Sequence, residues 1–225
     1  MRTGIYWQNP KYALRPGRDF IFDPSLVLYL PLGKLDGASF MSKDAYGHLC
    51  TVTGALWRPN GRWFDGSDDL INCGTSPSLD ITGGITLEVW VYASTTGAFQ
   101  TIIDKGLEYY CLRLTSGNFL EFKWLDESSD YHATAPSFTS YFNLWTHIVA
   151  TYDGSNAVVY LNLTPLTESE GNHTINTTSF GLFLGARYNN ANPFNGTIGE
   201  VRVYRRALTP LEIQRNYLAT KWRYR

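Results

Sequence analysis

Cysteine is scarce in this chain, and its spacing sets up no framework. Cys50, Cys73 and Cys111 are three in number and far apart. An odd, scattered set excludes a disulfide scaffold and a zinc site; it reads as buried thiols acting as small hydrophobes, with one bridge permitted but not required. Net charge is equally sparse: 19 basic residues stand against 20 acidic ones. That balance excludes nucleic-acid binding through bulk electrostatics. No apolar run is long enough for a membrane span. Residues 1–25 lack the apolar core of a secretory signal. The expectation is synthesis in the cytoplasm, with a virion or a surface as open destinations. The four Asn-x-Ser/Thr sequons, at Asn162, Asn172, Asn176 and Asn195, then read as chance matches.

Catalytic punctuation is missing too. There is no phosphate loop, dinucleotide fingerprint or zinc spacing. His48, His132, His147 and His173 stand in no nucleophile–base context, and His147, inside a strand phrase, reads as a packed residue.

Aromatic residues are plentiful, with 15 Tyr, 12 Phe and 7 Trp. Such rings suit pleated, half-buried surfaces. Ile85-Thr86-Leu87-Glu88-Val89-Trp90-Val91-Tyr92 alternates cleanly and puts Trp90 and Tyr92 on the face opposite the aliphatic row. Strands are expected at 26–32, 70–73, 101–104, 109–114, 119–125, 145–152, 157–163, 181–186 and 196–204. Gly/Asn/Asp turns separate them, as in a sandwich or jelly roll. One helix is expected at the end, where Thr209-Pro210-Leu211-Glu212 is a capping box with Pro at the first helical position. Leu211, Ile213, Tyr217 and Leu218 supply its apolar face. The basic end, Lys221 to Arg225 with Arg205, Arg206 and Arg215, reads as a solvated helix terminus. Residues 1–24 carry rings, Pro and basic residues but no hydrophobic period. They read as an extended arm packing along this domain or a neighbouring subunit, ahead of one domain at 25–225.

From Ser25 to Tyr217 the chain resembles the laminin-G-like, concanavalin A-like lectin/glucanase jelly-roll family. The phrases that carry the resemblance are Leu26 to Leu32, Phe64-Asp65-Gly66-Ser67-Asp68-Asp69, Ser78 to Ile81, Ile85 to Val91, Trp145 to Gly154 and Phe194 to Tyr204, in that order. The resemblance implies an all-β, two-sheet antiparallel β-sandwich with a short C-terminal helix. It also implies a calcium ion at the sandwich edge. Asp44-x-x-Gly47 and Asp65-Gly66-x-Asp68 are oxygen-rich turns of the kind calcium uses, and Glu200 completes a candidate set of Asp44, Asp65, Asp68 and Glu200. The family pattern often has Asp where Gly199 stands, so one carboxylate is missing here.

Sugar recognition needs planar hydrogen-bonding side chains beside a ring face. On the concave sheet or its rim loops, Asp104, Arg187, Tyr188, Asn190 and Asn192 have those types, and Trp124, Asp126 and Tyr131 form a second cluster. The paired carboxylates of jelly-roll glucanases, Glu-x-Asp-x-x-Glu on one strand, do not occur. The expectation is a non-catalytic recognition or adhesion module for glycans or a protein surface. An assembly protein follows, such as a virion decoration protein docking capsid, tail or sister subunits through residues 1–24. A glycan hydrolase ranks third.

Overall fold

Alternation in the longest strands dictates two layers. The structure, a computed structural model, describes residues 23–126, 129–169 and 173–225, with the side chains of 135, 136 and 167–169 left aside. The expected arm therefore lies almost wholly outside the described residues. In chain order the strands are β1 (Leu26–Pro31), β2 (Ser39–Met41), β3 (Leu49–Thr53), β4 (Leu56–Arg58), β5 (Gly61–Asp65) and β6 (Leu70–Asn72). β7 (Ile85–Ala93), β8 (Gln100–Lys105), β9 (Tyr110–Leu114), β10 (Phe119–Leu125) and β11 (Asp130–Ser137) follow. β12 (Trp145–Tyr152), β13 (Asn156–Leu161), β14 (Thr164–Ser169), β15 (Leu182–Leu184), β16 (Asn195–Tyr204) and helix α1 (Pro210–Thr220) complete the chain.

All pairings are antiparallel. The first sheet runs β14-β13-β12-β7-β16-β5-β4, with β1 on β16 beyond the end of β5. The second runs β11-β10-β9-β8-β15-β6-β3-β2. Leu87, Val89, Val91, Ile148 and Ala150 from the first sheet and Leu112, Leu120, Phe122 and Trp124 from the second fill one core at 0 % exposure. The all-β sandwich expected from the sequence is thus observed. The three cysteines are free and buried, as the spacing suggested. Three strands were not foreseen, β2, β11 and β14. Each ends a sheet; β2 is only three residues long, and β11 and β14 each hold a proline, Pro136 or Pro165. A residue that cannot donate to a ladder is tolerated at an edge, but it disguises the strand in the sequence.

The outer face of β7 is covered by α1. The Thr209–Glu212 capping box forms as expected. The expected apolar face forms in part: Ile213 is buried and Tyr217 stacks on Trp90, but Leu211 and Leu218 are 77 % and 51 % exposed, and Asn216 and Thr220 are buried in their place. Polar residues face inward because they have partners there. Asn216 donates to Glu88 Oε2 at 2.8 Å, and Trp90 Nε1 donates to Thr220 Oγ1 at 3.0 Å. Trp90 stacks on Tyr217 and Tyr224, so the ring set opposite the aliphatic row belongs to a second, smaller packing layer.

Glu88 is 1 % exposed, and so is its partner Arg202. Arg202 Nη1 lies 2.6 Å from Glu88 Oε1, and His147 Nε2 lies 2.9 Å from the same oxygen. His147 is fully buried, the packed residue its strand phrase suggested. Burial alone would raise the Glu88 carboxyl; Arg202, His147 and Asn216 more than reverse that and hold it below its usual value. Arg202 also pairs with Glu200, and Glu200 with Arg223 from the C-terminal end. The basic terminus is therefore only partly solvated.

Arg202→Met should leave Glu88 and Glu200 buried without their shared cation and cost about 3–5 kcal/mol in urea unfolding. Arg206→Ala removes a more open pair with Asp23 and Glu212, its side chain 35 % exposed. It should cost under about 1 kcal/mol.

Candidate functional site

The outer face of the second sheet carries no described α-helix. Along β9, Tyr110, Leu112 and Leu114 point inward and Arg113 outward; along β10, Leu120, Phe122 and Trp124 point inward and Glu121 and Lys123 outward. Register sets Arg113 beside Glu121 and Thr101, and Lys123 beside Cys111 and His132. A row of charge is thereby laid across four strands.

The turn after β8 completes it. Leu107 and Glu108 take left-handed backbone angles, φ 58° and 69°, and bring Glu108 back over the sheet. Its carboxylate meets three cations: Arg113, Lys123 Nζ at 2.5 Å and Arg187 Nη1 at 3.2 Å. Burial would raise this carboxyl, and the surrounding cations bring it below its usual value. Glu121 receives Arg113 Nε at 2.5 Å and lies 3.1 Å from His132 Nδ1. Lys123 reaches Asp130 at 2.8 Å. The Phe99 ring lies 4.9 Å under the Arg113 guanidinium. Each long side chain is held from two or three sides and largely buried, with Lys123, Glu108, Arg113 and Glu121 at 8–11 % side-chain exposure, so their planar groups are fixed in position. Asp130, 54 % exposed, and the half-buried His132 and Arg187 are its edge toward solvent.

The expected rim residues sort around this network. Arg187 belongs to it. Asp104 lies beneath it rather than on a rim: it is 0 % exposed, and its Oδ1 accepts from the Glu108 amide at 2.9 Å. Tyr188 turns toward Phe180, ring centroids 4.7 Å apart. Asn190 and Asn192 serve the turn, both at positive φ, and the Asn192 carbonyl accepts from the Thr101 amide. In the second cluster, Asp126 and Tyr131 do meet, around His173: Asp126 Oδ2 lies 3.0 Å from Nδ1, and Tyr131 stacks at 3.6 Å. Trp124 is not a platform. It is fully buried against Tyr152 of the opposite sheet, because it shares the inward parity of Phe122. Arg113, Glu121, Lys123 and Glu108 were missed; the alternation of charge with Leu and Phe along 111–124 was the signal for the first three.

The calcium set is redrawn as well. Asp65, Asp68 and Asp69 place carboxylate oxygens within 4.8 Å of one another, and Asp69 was not among the expected ligands. Burial, with Asp65 and Asp68 beside it, raises the Asp69 carboxyl. Three converging acids suit a hard cation that draws its other oxygens from carbonyls and water. Asp44 is elsewhere, its oxygens accepting from the amides of Tyr29, Tyr46 and Gly47. Glu200 is five positions along β16 from Asn195, the residue paired with Asp65, roughly 17 Å away on an extended strand. It is committed to Arg202 and Arg223. Gly199 has its own reason: a Cβ there would lie 2.6 Å from the Tyr224 ring.

Burial pushes the Asp104 carboxyl up to about 6, against the pull of Arg187. The folded chain then holds this proton more readily than the unfolded chain. The stability that Asp104 contributes should fall as pH rises from about 4 through about 6, and level off above. Asp104→Asn keeps an acceptor for the Glu108 amide. Its melting temperature should exceed that of the parent at pH 7.5 and match it near pH 4.

Solved structures with this sandwich are numerous. Trypanosoma rangeli sialidase in complex with sialic acid superposes with a TM-score of 0.68 at 17% identity, over 91% of this chain and 34% of its own. The ligand binding domain of botulinum neurotoxin serotype D, in complex with N-acetylneuraminic acid, gives 0.69 at 16%, over 87% and 50%. The binding domain of Paraclostridial Mosquitocidal Protein 1 gives 0.67 at 15%, over 88% and 52%. The chain thus spans a third to a half of these proteins, and at such identities the likeness is one of fold. No curated protein sequence matches it. A family model does, over residues 65–214, two-thirds of the length, and the chain belongs to the concanavalin A-like lectin/glucanases superfamily.

Proposed function

We propose that this protein is a non-catalytic recognition module that binds a glycan across the outer face of the second sheet. The observation that carries the reading is the network in which Glu108, Glu121 and Phe99 clamp Arg113 and which reaches solvent at Asp130, His132 and the half-buried Arg187. Sugar hydroxyls need donors and acceptors side by side in fixed geometry, and this face supplies both. Cations and carboxylates are close to balanced there, which favours neutral, hydroxyl-rich ligands over strongly charged ones. A likeness in fold to proteins solved with sialic acid supports carbohydrate as the ligand class.

The same face argues against hydrolysis. A glycosidase acid needs a raised pKa and contact with the glycosidic oxygen. Asp104 has the first and lacks the second, being 0 % exposed. Glu108 and Glu121 are held by cations.

Glycan-array screening of the full chain, followed by titration of the best neutral oligosaccharide, tests the reading. Arg187→Ala should weaken binding at least tenfold while the variant still unfolds in one cooperative transition, its melting temperature lowered by the loss of one of the three cations on Glu108. Equal affinity in parent and variant, or release of reducing ends from the bound sugar, would contradict it.

We further propose that calcium sits at Asp65, Asp68 and Asp69 as a structural ion. Millimolar calcium should raise the melting temperature by several degrees, since a ligand bound only by the folded state stabilises it by about 2.7 kcal/mol at a hundredfold excess over Kd. Asp68→Asn, a change at an exposed residue, should abolish the rise. No shift in the parent would exclude the ion.

A further inference from the structure

Three depressions on the outer side of the first sheet share their walls. They measure about 370, 350 and 310 Å³. Pro59 and Asn60 line both the first and the second, Trp145 the second and third, and Tyr224 the first and third. They are therefore lobes of one groove beside the docked C-terminal segment. Each is at the lower end of the size of small-ligand sites, about 300–1,000 Å³. The shape suits a chain of small units.

The floor is aromatic. Trp145 meets Tyr92 edge-on at 5.9 Å and lies 4.7 Å from Tyr224. Trp222 stands at the mouth, 61 % exposed. Side-chain amides and a hydroxyl sit beside the rings: Asn60, Asn162 and Thr197. The rim is cationic, with Lys34, Arg58, Lys221, Arg223 and Arg225. The acidic lining residue is Glu200, which is 1 % exposed and already paired with Arg202 and Arg223. Among the described residues, Lys34, Arg58, Lys221 and Arg225 have no carboxylate partner. Arg58 lies over the Trp63 ring and Lys221 over Tyr217 instead. A chain of net charge -1 thus gathers a surplus of positive charge around one set of rings.

We propose that this groove binds an acidic glycan chain bearing carboxylate or sulfate groups. Sugar rings would lie against Trp145 and Trp222, with acidic groups toward Arg58, Lys34 and Arg225. Ring, amide and cation together match an acidic sugar, which offers an apolar face, hydroxyls and a charge. Single-stranded nucleic acid fits less well. Its bases stack on parallel faces, whereas Trp145 is tilted 49° from Tyr224 and 63° from Tyr92. The groove is on the opposite sheet from the network around Arg113, so the two readings stand or fall separately.

Titration calorimetry of the full chain at low and high salt tests this with six probes. They are tetragalacturonate, galactotetraose, dextran sulfate, dextran, poly-glutamate and an oligo-thymidylate. The expected result is binding of tetragalacturonate, dextran sulfate or both, distinguishing carboxylate from sulfate recognition. The neutral sugars should show no binding that Arg58→Glu weakens, and affinity for the acidic sugars should fall as salt rises. Trp145→Ala should weaken binding at least tenfold. Arg58→Glu, at an exposed position that leaves the fold intact, should do the same, and Arg187→Ala should change nothing. The proposal is overturned if neither acidic sugar binds, if Arg58→Glu retains full affinity, or if poly-glutamate or the oligonucleotide binds as tightly as the acidic sugars.

Discussion

The Glu88 carboxylate is the constraint around which the molecule is arranged. An ionised carboxyl at 1 % exposure survives only if every oxygen is matched. Its partners come from three different elements: His147 from β12, Arg202 from β16 and Asn216 from α1. The three strands that surround it are the centre of the first sheet, and the helix is the lid. Satisfying one charge therefore fixes where the C-terminal segment docks. The Trp90–Thr220 hydrogen bond and the Trp90–Tyr224 stack extend the same contact. Gly199 clears the space that the Tyr224 ring fills.

Docking the helix there divides the surface. One sheet has the outer face of its central strand covered and gains a groove along the edge of the docked segment. The other sheet has no helix over its outer face among the described residues. Electrostatics then separates them further. Around Glu108 and Glu121, cations and carboxylates interlock, and the face is rigid and nearly balanced. Around Trp145 and Tyr224, the local acid is already consumed by Arg202 and Arg223, and the remaining cations face solvent. Two chemically distinct surfaces follow from a single packing event.

Much of the fold was legible because the strands at the centre of each sheet are pure in pattern. Ile85 to Tyr92 alternates without interruption, and Thr209 to Glu212 announces the helix start. Edge strands were not legible, since Pro165 in β14 and Pro136 in β11 break the pattern that central strands must keep. The buried face of α1 was misread for a related reason. Asn216 and Thr220 look solvent-facing until Glu88 and Trp90 are placed beneath them. Site residues depended on parity and register. Trp124 has the chemistry of a sugar platform but the inward parity of the core. Arg113 and Glu121 become a pair only once β9 and β10 are aligned. Glu108 needed a left-handed turn to reach them. Asp69 was hidden by being buried, although it adjoins the two acids that were recognised.

We propose the charged face of the second sheet as a carbohydrate-binding surface. The most direct measurement is the nuclear magnetic resonance of the arginine Nε–H and indole N–H groups while a neutral oligosaccharide is added. Progressive shifts are expected at Arg113 and Arg187, with the indoles of Trp145 and Trp222 unmoved. Saturable binding that leaves both arginine signals in place, or no response to any neutral glycan at millimolar concentration, would contradict it.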